Sequence, residues 1–431
     1  MSKDLVGKRL LVLGGTRISC EIIRKAKQMG LTVAVADYFP VEKSPGKQIA
    51  DEHYEVSTLD VDAVVDLIKN NNIDGVLTGF SDMLLPYYAE ICKKAGLPAY
   101  GTKEQFETFI DKAKYKALCR QFNVPTVEEY KVDLESVDES IKYPVLVKPS
   151  DSSGSRGITI CNGPDDLKEA VKKALEYSKE NSVLVERYML GREATVFWLF
   201  IDGEYYLTAI GNRHVKTNQG DDIIPLPVGY TYPAFITPKY RAEIEENAKK
   251  MFKYAGIENG MMFMQCKVED DVCVVYDIGY RLTGSLEYIN LESACGYNPL
   301  EMLIRFAVTG EMTNDDDISS KICPETMKPS FNVSCLSIPG TIKKIEGLDT
   351  VKAFPEVSDV VVAHYPGETI TEQMRGLLAQ ITIRILGTVD RKEQLYDAMK
   401  EIEENIHIIS SEGNEMRLMG IEPKDIEKVV L

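Results

Sequence analysis

Along the N-terminal part of the chain, short apolar runs alternate with amphipathic stretches. Arg9-Leu-Leu-Val-Leu-Gly14-Gly15 is a buried-strand pattern meeting a glycine turn, and Ile22 to Met29 reads as helix. Leu31-Thr-Val-Ala-Val-Ala-Asp37 is a second strand ending in an acid; Val61 to Lys69 reads as helix and Gly75-Val-Leu-Thr-Gly79 as another strand. Helices between apolar strands imply parallel pairing through right-handed crossovers, so this part is expected to be a doubly wound α/β sheet.

Gly101 to Pro125 reads as a helical connector containing Asp111-Lys112-Ala-Lys114-Tyr-Lys116. From Tyr143 the pattern changes: short strands alternate with turns, interrupted by helical stretches at Pro164 to Tyr177 and Pro238 to Tyr254, which predicts an α+β arrangement. Gly310 to Pro329 is a polar, acidic bridge. Beyond it Phe331 to Leu336, Val360 to His364 and Ile381 to Leu386 read as strands, and Arg391 to Asn405 as a closing helix. The expected division is 1–102, 103–320 with a hinge near 186–190, and 321–431.

At 431 residues the chain exceeds what one core supports, in keeping with several units. A net charge of −17 argues against a general nucleic-acid binder, which needs a basic stripe to displace counterions. No apolar run approaches a membrane span, and the N-terminus leads into only a short strand-like run, so neither a membrane anchor nor a secretory signal is expected. Nine dispersed cysteines, without a Cys-x-x-Cys pair or zinc spacing, read as the reduced thiols of a cytoplasmic protein.

Chemistry first shows in Tyr143-Pro-Val-Leu-Val-Lys148-Pro-Ser-Asp-Ser-Ser-Gly154-Ser-Arg-Gly157-Ile. An apolar strand delivers a lysine to a Gly/Ser loop whose backbone N–H groups can converge on phosphate oxygens; a β-hairpin turn is the alternative reading. Neither standard phosphate signature fits. Gly14-Gly-Thr16 followed by Asp37 suggests dinucleotide binding only superficially, because Arg17 stands where a close-approach glycine belongs.

Further features occur in order along the chain. Val183-Leu-Val-Glu186-Arg-Tyr-Met189 is a strand ending in an acid, and Leu190-Gly191-Arg192-Glu193 comes directly after it. Met261-Met-Phe-Met-Gln265-Cys-Lys-Val and Val274-Val-Tyr-Asp277-Ile-Gly-Tyr-Arg281-Leu-Thr-Gly284-Ser285 read as paired strands in which Gln265 and Asp277 face one another. With these the chain resembles the ATP-grasp superfamily of carboxylate ligases, which includes biotin carboxylase, the synthetase subunit of carbamoyl phosphate synthase and the amino-acid ligases. The resemblance covers most of the chain, down to Pro339-Gly340-Thr-Ile and Gly367 in the C-terminal part.

The resemblance implies a Rossmann-like pre-ATP-grasp domain, a two-lobed α+β ATP-grasp domain and a C-terminal α+β part. It implies that Lys112 and Lys148 contact ATP phosphates, and that Ser153, Gly154, Ser155 and Gly157 belong to a loop over them. Glu186 and the backbone of Arg187 and Met189 would hold adenine, and Glu193 the ribose. Asp277, with Gln265, would ligate Mg2+ (or Mn2+), and Arg281 would act catalytically on the transferring phosphoryl group or acyl phosphate. Gly284-Ser285 would shape the substrate pocket. The implied activity is ADP-forming ligation of a carboxylate to an amine, such as an amino acid, through an acyl phosphate. The alternatives are bicarbonate activation and a non-catalytic ATP-binding regulatory role. Implied partners are a small carboxylate and an amine, with homodimers common among relatives.

Three positions depart from the family. Where it offers glutamates and an asparagine to metal, this chain has Gln265, Asp277 and Gly279, which leaves two-metal binding in doubt. Asn212 to Lys216 reads as a polar loop in which Arg213 or His214 meets substrate or merely solvent. Lys114 and Lys116 read as solvated helix charges, with either as the alternative to Lys112 for the phosphate contact, and Cys266, Cys273 and Trp198 as packing residues. His53, His364 and His407 read as structural.

Overall fold

A computed structural model describes residues 5–131, 141–150, 157–178, 181–216, 226–418 and 420–421. The N-terminal strands β1 (Arg9–Leu13), β2 (Thr32–Asp37), β3 (Glu52–Glu55) and β4 (Gly75–Leu77) form a parallel sheet in the order β3-β2-β1-β4. Helices α1 (Ser19–Gln28), α2 (Pro45–Ile49) and α3 (Val61–Asn70) make its crossovers, as the apolar alternation predicts, and α4 (Leu85–Ala95) follows β4. Asp60 starts α3 by accepting from the Ala63 N–H at 3.1 Å. The glycine turn after β1 is internally filled: Gly15 N–H donates to Asp37 Oδ2 at 2.7 Å, and a Cβ on Gly15 would lie 1.9 Å from Ser44 Oγ. Asp37 therefore closes its own turn.

The connector is two helices, α5 (Lys103–Ile110) and α6 (Lys112–Gln121), rather than one. Asp111 separates them, its Oδ1 accepting from the Ala113 and Lys114 N–H groups at the start of α6. Next comes a small antiparallel sheet in the order β5-β8-β6-β7, from β5 (Glu129–Tyr130), β6 (Val145–Pro149), β7 (Thr159–Cys161) and β8 (Val183–Arg187). One face of it packs Val145, Val147 and Val185 on α7 (Pro164–Glu176), leaving Lys148 and Glu186 on the other.

An eight-stranded antiparallel sheet dominates the rest. Its strands are β9 (Arg192–Ile201), β10 (Glu204–Lys216), β11 (Leu226–Tyr232), β12 (Gly260–Glu269), β13 (Val272–Gly279), β14 (Ser330–Leu336), β16 (Val357–Val362) and β18 (Ile381–Thr388), in the order β13-β12-β9-β10-β11-β14-β18-β16. A three-stranded sheet, β15 (Gly340–Glu346), β17 (Thr369–Ile370) and β19 (His407–Ser410), accompanies it. The eight strands come from both sides of residue 320. Asn212 to Lys216, read as a loop, is the end of β10, bonded between β9 and β11. The stretch from Pro238 is likewise two helices, α8 (Thr237–Glu243) and α9 (Glu245–Tyr254), which cover the apolar face carrying Trp198, Met264 and Cys266. The remaining helices are α10 (Glu287–Cys295), α11 (Pro299–Thr309), α12 (Ile318–Lys321), α13 (Leu348–Lys352) and α14 (Leu395–Asn405).

Several contacts join the first unit to the remainder of the chain, two of them by close packing. Helix α11 lies on β1 and β4 so closely that a Cβ on Gly75 would sit 2.1 Å from the Ala307 carbonyl oxygen. Tyr280, just past β13, packs edge-on to Tyr100 with ring centres 5.4 Å apart and aims its hydroxyl at the Tyr100 carbonyl (2.6 Å) and the Asn259 carbonyl. We expect Tyr280→Phe, which keeps the ring and orphans those acceptors, to cost about 1–3 kcal/mol, read as a lower denaturant midpoint with an unchanged slope.

Candidate functional site

Lys148 and Glu186 lie on adjacent strands of the small sheet and pair at 2.7 Å, both almost fully buried. The second oxygen of Glu186 meets Lys116, which also reaches Glu129 Oε1 at 2.9 Å; Arg120 holds the other Glu129 oxygen at 3.1 Å. Lys116 is therefore no solvated helix charge: it is 0% exposed and sits at the centre of a run Arg120–Glu129–Lys116–Glu186–Lys148. Burial opposes the charge on Glu186, but Lys148 and Lys116 outweigh it and hold its carboxyl below the usual range. For Lys148 burial wins, and its ammonium titrates lower than usual in spite of Glu186.

The eight-stranded sheet presents a matching face. Gln265 stands opposite Asp277 across β12 and β13, and opposite Thr195 on β9. Two residues along, Lys267, Glu193 and Arg213 form a row across β12, β9 and β10. Glu193 accepts from Lys267 at 2.7 Å, from Arg213 and from the Tyr276 hydroxyl at 3.2 Å. Burial alone would raise its pKa, but Arg213 and Lys267 reverse the sign and lower it. Arg213 thus belongs to a buried strand pair, its Nε reaching the Tyr230 hydroxyl at 3.2 Å.

Asp277 connects the two faces. Burial raises its pKa and Asp82 adds to this, while Lys112, Lys148 and Arg281 pull it back, so the expected phosphate and catalytic residues lie in one electrostatic neighbourhood. Lys112 is half-buried at the start of α6. Arg281 is clamped by Asp82 of the first unit through Nε at 2.6 Å and Nη2 at 2.8 Å, with Phe263 under its guanidinium at 5.0 Å. Arg187 bridges the two sheets through a bidentate pair with Glu269 at 2.7 and 2.8 Å. At the hinge, the Arg187 and Tyr188 N–H groups already donate to the Glu128 and Pro144 carbonyls, and Met189 is buried beside them. Gly157, at the end of the expected phosphate loop, has a positive φ of 73°, and a Cβ there would lie 3.0 Å from Pro149 and Tyr177. Ser153, Gly154 and Ser155 lie outside the described residues.

Among the described residues, no three His, Cys, Asp or Glu side chains gather into a metal cage. Asp277 and Gln265 have no side-chain hydrogen-bond partner there, and a Cβ on Gly279 would lie 2.3 Å from the Phe263 ring. One charged and one neutral oxygen fit a magnesium ion whose other positions are filled by water and phosphate. Sequence reasoning missed Lys116, Asp82, Lys267 and Tyr276. Lys116 alone had a local signal, since it lies four residues after Lys112 on the same helical face.

We expect Glu193→Gln to be less stable than the parent at neutral pH. Because the folded-state pKa of Glu193 is depressed, its contribution is complete above about 4.5 and lost as pH falls below that. The stability gap between parent and variant, measured by urea unfolding, should therefore narrow on acidification.

Comparison with known proteins finds what these features are similar to. Residues 109–262 match the family described as D-ala D-ala ligase C-terminus. The carbamoyl phosphate synthase large chain of Clostridium perfringens (strain SM101 / Type A) is 23% identical over 427 residues, covering 95% of this chain and 39% of its own length. The 2-oxoglutarate carboxylase small subunit of Hydrogenobacter thermophilus is 28% identical over 225 residues, 48% of each chain. Among solved structures, L-amino acid ligase from Bacillus licheniformis superposes with a TM-score of 0.74 at 20% identity, over 94% of this chain and 99% of that one. The biotin carboxylase domain dimer of the Hydrogenobacter thermophilus 2-oxoglutarate carboxylase, in complex with MgADP and bicarbonate, gives 0.75 at 20% identity over 95% and 91%. The chain spans about two fifths of the length of the first of these relatives. Among the described residues, no helix is long and apolar enough to cross a membrane.

Proposed function

We propose that this chain, which carries the ATP-grasp fold, is an ADP-forming ligase that activates a carboxylate as an acyl phosphate and couples it to an amine. The observation that carries this reading is that Lys112, Lys148 and Arg281 all act electrostatically on buried Asp277, while Lys148 is fixed by Glu186 at 2.7 Å and Arg281 by Asp82 at 2.6 Å. Phosphoryl transfer asks mainly for positioning and charge neutralisation, which such a set supplies.

In this reading Lys148, fixed by Glu186, and Lys112 hold the phosphates of ATP. Asp277 and Gln265 hold magnesium, which when bound neutralises phosphate charge. A carboxylate oxygen attacks the γ-phosphorus, ADP leaves, and an acyl phosphate remains beside Arg281. An amine nitrogen then adds to the acyl carbon, loses a proton, and inorganic phosphate departs. Glu186 and Glu193 are both ion-paired, so their contribution to adenine and ribose is made by whatever acceptor capacity those pairs leave.

The test is ADP release from Mg-ATP against pooled amino acids, other small carboxylates and amines. Lys148→Ala should remove about 100-fold or more of the substrate-dependent rate while leaving the fold intact, since Glu186 keeps Lys116. ADP release driven by bicarbonate alone would move the assignment to bicarbonate activation. ATP binding with no turnover in any pool would favour a regulatory role, and absence of ATP binding would overturn the reading.

A further inference from the structure

The charged run between α6 and the small sheet is not balanced. Arg120, Lys116 and Lys148 supply three positive charges, Glu129 and Glu186 two negative ones. At one end Arg120 is exposed, and water screens its charge. Lys116, out of water altogether, touches both carboxylates, so two negative groups attend one ammonium. Lys148 ends the run in the interior. Among the described residues Glu186 is the only carboxylate paired with it, through one oxygen at 2.7 Å, and the other oxygen of Glu186 belongs to Lys116. The unmatched positive charge therefore lies at Lys148.

Lys116 is the cause of that imbalance. Without its ammonium, Glu186 and Lys148 would form a closed pair with no net charge. Stability does not explain the lysine, because a buried ion pair is commonly no better than apolar side chains of the same volume. Nor can Lys116 swing away. Helix α6 is pinned by the Asp111 cap at its start and by the Tyr115 hydroxyl, which donates to the Tyr276 carbonyl at 2.9 Å. Lys112 stands one turn earlier on the same face, so one helix delivers a lysine beside Asp277 and another to the back of Glu186. The charged groups around Lys148 are Glu186 on β8, Lys112 and Lys116 on α6, and Asp277 on β13. Burial above all, then the like charges of Lys116 and Lys112, oppose the charge on Lys148 against the pull of Glu186, and an anion beside it relieves all three.

We propose that Lys116 is a positioning residue for the nucleotide: by occupying one oxygen of Glu186 it leaves the Lys148 ammonium incompletely neutralised, and the phosphates of ATP supply the missing negative charge. The inference rests on the ligase reading above and deepens it. Lys116 is walled off between Glu129 and Glu186 and does not itself touch the nucleotide; its effect passes through Glu186 to Lys148. Glu129 is then a competitor, since it draws Lys116 away from Glu186. Removing the charge of Glu129 should tighten Mg-ATP binding. A run that only braces the fold predicts the opposite, because each weakened ion pair would slacken the site.

The experiment measures Mg-ATP binding by calorimetry, and urea unfolding, for the parent, Lys116→Met, Lys116→Arg and Glu129→Gln chains. Lys116→Met should bind Mg-ATP about 20-fold more weakly, and Lys116→Arg should recover most of that loss. Glu129→Gln should bind about 5-fold more tightly although it is no more stable than the parent, a combination that bracing alone does not produce. If Lys116→Met fails to fold, Glu129→Gln decides the matter, because its amide keeps an oxygen for Lys116 and Arg120. Mg-ATP binding by Glu129→Gln that is equal to the parent's or weaker overturns the role assigned to Lys116. Undiminished binding by a folded Lys116→Met does the same, and both results leave the ligase reading standing. Failure of the parent to bind Mg-ATP sinks that reading itself.

Discussion

The Lys116 ammonium lies entirely out of water, and the arrangement around it is a consequence. A charge so placed is stable only when its partners are held in fixed positions. Glu186 and Glu129 serve as those partners, and Glu186 has its own second oxygen committed to Lys148. The chain of alternating charges locks α6 against the small sheet and sets the height of Lys148 above the cleft. It also fixes the first turn of α6, where Lys112 begins. On the opposite wall Glu193 is clamped between Lys267 and Arg213 in the same manner. Each sheet thus carries one carboxylate held by two cations.

The large sheet makes the rest of the cleft one continuous surface. Because side chains alternate, a single face collects Asp277, Gln265, Glu193, Arg213, Tyr230 and Arg384, while the other packs Trp198, Met264 and Cys266 against helices. Strands from distant parts of the chain contribute to this face without interrupting its polarity, and the C-terminal strands are part of the same wall as the metal-ligand candidates.

Sequence reasoning reached those features whose cause is local. The alternation of apolar strands and helices gave the N-terminal parallel sheet, and the period of two along Gln265 and Asp277 gave their opposition across β12 and β13. What it missed was set by long-range partners. Lys116 read as solvated because Glu186 is 70 residues away in sequence, and the Asp82 clamp on Arg281 spans 199. Arg213 read as a loop residue, yet it pairs with Glu193 and Tyr230 on the neighbouring strands β9 and β11, 20 and 17 residues away. The break at Asp111, by contrast, was readable: an aspartate heading Lys-Ala-Lys is a helix start, and its capping bonds form within three residues.

The contact between Gly279 and Phe263 bears on how this site is related to its more heavily liganded kin. The Phe263 ring fills the space a side chain at 279 would need, and its face also lies against the Arg281 guanidinium. An asparagine introduced at 279 alone would collide with that ring, while shrinking Phe263 alone would open a void and remove the arginine's support. The two positions are interlocked, so conversion between a glycine and a side-chain-bearing residue at 279 passes through an intermediate worse than either end. A lineage that has crossed that step is held on its own side of it by packing alone, whatever the metal requirement of its chemistry.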